Sequence, residues 1–139
     1  MILNTPVVEV GSLPADTDLV SELRRFNGRD HDQAHGWIIQ TEVIGDDEVT
    51  FPSLIVALHG SKAAIYYVNG GILRVPATGE GDGLPWVHVG KEAAKPKRTL
   101  PGSEVPPETV YQAIGEFLRE PEPPASLKWV APKLVVAQP

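Results

Sequence analysis

The sequence predicts an α+β domain, with a largely antiparallel sheet of about six or seven strands and two main helices. Three observations carry that expectation. Two segments place apolar residues at helical spacing, several neighbouring segments alternate or run continuously apolar, and an Asn-Gly pair joins two of these. At 139 residues the chain suits a single domain spanning 1–139. A chain of this size buries roughly two-thirds of its unfolded surface, enough for a core without covalent staples.

The elements follow in order. Val7 to Val10 reads as a short strand. A helix follows Asp16 or Thr17, either of which can cap it, and turns Leu19, Val20, Leu23 and Phe26 to one face before Gly28 ends it. Trp37 to Ile44 alternates, with Trp37, Ile39 and Val43 opposite Gln40 and Glu42. Leu54 to His59 is almost uniformly apolar, as a central strand covered on both sides requires. Ala63 to Val68, Asn69-Gly70 and Gly71 to Val75 form a hairpin signal. A turn at Asn69-Gly70 sets Val68 against Gly71 and Tyr66 against Leu73, leaving Ala64, Tyr66, Val68, Leu73 and Val75 on one face. Pro85 to Val89 and Ser126 to Val130 read as two further strands. The second helix begins at Pro106-Pro107, where a missing N–H and a fixed φ suit the first turn. Its stripe is Val110, Ile114, Phe117 and Leu118, and Pro121 closes it.

Composition excludes several classes. With no cysteine there is no disulfide scaffold, thiolate zinc site or thiol nucleophile. The longest apolar runs fall far short of the roughly 20 residues of a membrane-spanning helix. No lysine or arginine precedes Arg24, so a secretory leader is not expected and a cytoplasmic protein is. Twelve bases against eighteen acids give a formal charge of −6. Such a chain grips phosphate backbones poorly, so nucleic acid is not an expected partner, whereas a basic protein is.

No catalytic constellation emerges. His31 and His35, with Asp32 between them in HDQAH, have the i, i+4 spacing of zinc-binding helices. They follow the helix stop at Gly28, however, and the segment is expected to be a polar loop without metal. No serine sits in a Gly-x-Ser-x-Gly elbow. Asp46-Asp47-Glu48 reads as a solvated turn, and the TGEGDGLP segment as a flexible acidic loop whose carboxylates repel phosphate. Between Asp30 and Gly90 eight acids face two bases, Lys62 and Arg74; Lys91 to Arg98 then carries four bases and one acid. If the loops at 45–48 and 79–83 share one end of the sheet, they form an acidic rim. Trp37, Trp86 and Trp129 are expected in the core.

The C-terminal half resembles a known family. Trp86-Val-His-Val-Gly90, a variable basic stretch, Val105-Pro-Pro-Glu-Thr-Val110, Ala113-Ile-Gly-Glu-Phe-Leu118 and Leu127-Lys-Trp129 follow one another in the order and spacing of immunity-protein family one of bacterial polymorphic toxin systems. The hairpin with Tyr66-Tyr67 is similar to that family's central strands, and the likeness covers about residues 36–130. The resemblance implies a non-enzymatic antidote without cofactor. Its partner would be a cognate toxin, frequently a nucleic-acid deaminase, whose active site it covers. Such a toxin has a cationic cleft. Joined to the acidic count, this makes Asp46, Asp47, Glu48, Glu80 and Asp82 the candidate toxin contacts, with Trp129, Phe117, Leu118 and Tyr66 assigned to the core. Two rivals remain open: a small-molecule binder using Trp37, Tyr66, Tyr67 and Trp86 beneath the second helix, and a metal-dependent enzyme using His31, Asp32 and His35.

Overall fold

The computed structural model describes residues 3, 5, 7–14, 16–40, 52–120 and 122–132. Their strands are β1 (Val7–Glu9), β2 (His35–Gln40), β3 (Ser53–His59), β4 (Lys62–Asn69), β5 (Ile72–Pro76), β6 (Pro85–Trp86), β7 (Lys97–Arg98), β8 (Glu104–Val105) and β9 (Trp129–Val130). The helices are α1 (Leu19–Asn27) and α2 (Pro107–Arg119). The main sheet runs β1-β2-β3-β4-β5-β9, with β8 also paired to β4, while β6 and β7 form a separate ribbon. Only β1 against β2 is a parallel strand pair; the others are antiparallel. The α+β architecture read from the sequence is the one observed.

Helix α1 is capped by Asp18, not by Asp16 or Thr17. Its carboxylate accepts from the Ser21 amide at 3.0 Å and the Ser21 hydroxyl at 2.7 Å, which holds its pKa below the usual range. Leu19 and Leu23 are fully buried, with Val20 and Phe26 packed at the margin. Helix α2 starts as expected, with Pro106 as the cap and Pro107 in the first turn, and its C-cap is Glu120. Val110, Ile114 and Phe117 are each 0% exposed. Each such side chain contributes about 1.5–3 kcal/mol by leaving water. Asn27 ties the layers together: its amide nitrogen donates to the Gly60 carbonyl at 2.9 Å and the Tyr111 hydroxyl at 3.1 Å, and its oxygen accepts from the Gly60 amide at 2.7 Å.

The central strands are buried on both faces, for two different coverings. Trp37, Ile39, Leu54, Val56, Ile65 and Tyr67 pack under the helices. On the opposite face Ile55, Ala57, Ala64 and Val68 pack under Trp86 of β6 and Leu84 just before it. Trp129 is half-buried at the edge of the helix-side core, its indole N–H donating to the Pro124 carbonyl at 2.9 Å. Gln40, expected on a polar face, is buried.

The hairpin differs in register from the expectation. Val68 pairs with Leu73 and Asn69 with Ile72, so the connecting residues are Gly70 and Gly71. Gly70 has φ +61°, while Gly71 is not left-handed, the sign pattern of a type II′ turn. The turn slides by one residue, which moves each cross-strand partner by two positions. Parity is kept, and Tyr66, Val68 and Leu73 stay on the face assigned to them.

Candidate functional site

Two segments distant in sequence meet beside the edge of β4 that pairs with β8. One is residues 77–83, which includes Glu80 and Asp82; the other is 98–104. The Glu80 and Glu104 amides each donate to the other's carbonyl at 3.0 Å, and the Gly102 amide donates to the Gly81 carbonyl at 2.9 Å. The Thr99 amide donates to the Leu84 carbonyl at 3.1 Å, and the Leu84 amide returns a 2.7 Å bond to Thr99 Oγ1. Arg98 adds a guanidinium bond to the Gly83 carbonyl at 2.9 Å. Beneath these, buried Ser103 places its hydroxyl 2.8 Å from Thr99 Oγ1 and 2.5 Å from the Leu100 carbonyl.

This lacing overturns the expectation of a flexible acidic loop. Gly79 and Gly83 are there because the two backbones touch. A Cβ at Gly79 would overlap the Gly102 carbonyl and one at Gly83 the Thr99 carbonyl; Gly83 is also left-handed at φ +99°. A Cβ at Gly81 would overlap the Glu104 carboxylate. Spacing that reads as looseness in the sequence is close approach in the fold.

Glu80 and Asp82 are exposed on this corner. Glu80 and Glu104 line an open groove of about 530 Å³ that also takes in Ser61, Lys62 and Pro106. Glu104 escaped the sequence reading because β8 is two residues long and shows no alternation. Asp46, Asp47 and Glu48 lie outside the described residues. The strand ends that flank them, Gln40 and Ser53, are at the Gly70-Gly71 end of the sheet, where Ser53 pairs with Val68. Glu80 bridges to Glu104, which pairs with Ala64 towards the other end. The sheet thus separates Glu80 and Asp82 from the anchors of the other acidic segment.

The histidines are structural in their contacts. His31 stacks on Phe26 at 4.3 Å between ring centroids, and His35 meets both rings edge-on at 5.0 and 5.2 Å. His31 Nε2 lies 2.9 Å from the Phe26 carbonyl and His59 Nε2 2.8 Å from the His31 carbonyl. A carbonyl can only accept, so each of those nitrogens carries the proton. His59 is thus tied to the His31 carbonyl at the end of β3. Among the described residues no three His, Asp or Glu side chains are grouped to hold a metal ion. The four aromatics considered for one pocket divide between faces: Trp37 and Tyr67 under the helices, Tyr66 and Trp86 on the other side.

Lys97 lies 5.6 Å from the centroid of the Trp86 ring, an aromatic contact the basic stretch does not show in sequence. Lys97 and burial together hold the His88 pKa below the ordinary imidazole value, burial being the larger cause. Among the described residues no helix is long and apolar enough to cross a membrane.

No protein-family model matches the chain, and no curated protein matches it.

Proposed function

We propose that this chain is an immunity protein, binding a cognate protein toxin and covering its active site without chemistry of its own. The reading rests on the sequence resemblance, and the observation that supports it is the pinned acidic corner. Glu80, Asp82 and Glu104 stand on backbones cross-linked by reciprocal hydrogen bonds, so their charges are presented with little ordering cost on binding. A toxin acting on nucleic acid must bind phosphates with cations. An acidic surface that occupies such a cleft denies it to the nucleic acid. Protection from an enzyme demands slow release, and nanomolar affinity corresponds to about 12 kcal/mol. The excess of acids (net charge −6) accelerates encounter, while packed contacts at the centre set the residence time.

The test is to read the frame encoded beside this chain and, where it carries a toxin domain, to co-express the two. The proposal expects restored growth, a stable complex on co-purification and a toxin inactive within it. Absence of a complex, or turnover of a compound by the homogeneous chain, contradicts it.

A further inference from the structure

Hydrogen bonding is incomplete in one part of the molecule. Among the described residues four buried side-chain polar atoms lack a partner: Gln33 Oε1, His35 Nδ1, Trp86 Nε1 and His88 Nδ1. All belong to one neighbourhood, where the start of β2 meets the segment after β6: the Val87 amide donates to the Ala34 carbonyl at 3.0 Å and the Gly36 amide to the Val87 carbonyl at 3.2 Å. Native structures leave few such atoms unpaired, and a cluster of them calls for a cause.

Two of the four residues, Gln33 and Trp86, line a cavity of about 280 Å³. Trp86 is only 4% exposed, so its N–H is a buried donor without an acceptor, and Gln33 supplies a buried acceptor without a donor. Leu84 and Pro96 give the cavity apolar walls. Its rim carries Asp32 and Lys62, both exposed. Among the described residues neither belongs to an ion pair. Opposite charges at one mouth, unpaired with each other, fit a ligand that brings both charges itself.

We infer that this cavity binds a small zwitterion with an apolar side chain, the chemistry of a free α-amino acid. Lys62 and the Trp86 indole N–H take the carboxylate, and Asp32 and Gln33 Oε1 take the ammonium, as charge-assisted hydrogen bonds. The side chain enters between Leu84 and Pro96. The volume lies just under the usual range for ligand pockets, which sets the ligand at single-amino-acid size. The inference is independent of the toxin reading, since the groove beside Glu80 and Glu104 and this cavity share only Lys62 in their linings.

The test is calorimetric titration of the full chain with L-leucine, followed in parallel by tryptophan fluorescence. Saturable binding below about 1 mM is expected, with N-acetyl-L-leucinamide, which lacks both charges, at least about tenfold weaker. Lys62→Met and Asp32→Asn alter exposed side chains and leave the fold intact; each weakens L-leucine about tenfold. No saturable signal up to about 10 mM, or equal affinity in wild type and both variants, overturns the inference.

Discussion

Two corners of the molecule are built from similar material, loops packed beside the sheet, and differ in how completely their polar groups are satisfied. In the corner formed by 77–83 and 98–104, amides and carbonyls answer one another across the junction, and the hydroxyls of Thr99 and Ser103 fill the gaps beneath. In the corner where β2 begins, four buried polar atoms have no partner among the described residues. The first is a finished, stiff surface, suited to presenting charge to a macromolecule. The second keeps hydrogen-bonding capacity unused, which suits a small ligand. Rigidity and recognition are thus separate properties here, read from where the hydrogen bonds go and not from how much loop is present.

The contrast can be broken most severely at Gly83. Alanine there must adopt a left-handed φ and overlap the Thr99 carbonyl, so Gly83→Ala is expected to destabilise the chain by about 3 kcal/mol in urea unfolding. Thr99→Val is the next step down. It keeps the shape but leaves the Leu84 amide without its acceptor, costing about 2 kcal/mol. At the other corner the corresponding experiment, Gln33→Met, removes an acceptor that has no partner, and stability is expected to stay within about 0.5 kcal/mol of wild type or to rise. A loss there equal to that of Thr99→Val would erase the distinction between the corners.

The smallest effect is one of pH. His88 titrates below the ordinary imidazole value because burial, and then Lys97, disfavour its charged form. The unfolded chain therefore binds the proton more readily, so the neutral form's contribution to stability is complete above about pH 6.5 and declines below it, down to the depressed folded value. Unfolding free energies of His88→Phe measured between about pH 7 and 5 should show a flatter slope than wild type. An unchanged slope would assign the dependence to other groups.

Much of the fold was legible because burial imposes periodicity. The α1 and α2 stripes, the continuous β3 run and the paired faces of β4 and β5 were all readable from residue spacing. The exact hairpin turn was not, because Asn69-Gly70-Gly71 offers two adjacent turns with the same parity, and the structure uses Gly70-Gly71. Strands β7 and β8, two residues each, are too short for a pattern. Of the candidate site, Glu80 and Asp82 were found as acids in a glycine-rich segment, but the role of those glycines was inverted. Their contacts lie some twenty residues away in sequence, at Thr99, Gly102 and Glu104, and a close approach between distant backbones leaves no local signature. The unpaired atoms at Gln33 and Trp86 were equally invisible, since a missing partner is a property of the assembled fold.

The proposed function meets its most direct test in association kinetics with the cognate toxin. Replacing Glu80 and Asp82 together by lysine should slow association about tenfold at low salt, flatten its salt dependence, and leave dissociation within about twofold of wild type. An association rate and salt slope indistinguishable from wild type would mean that the laced acidic corner does not meet the toxin.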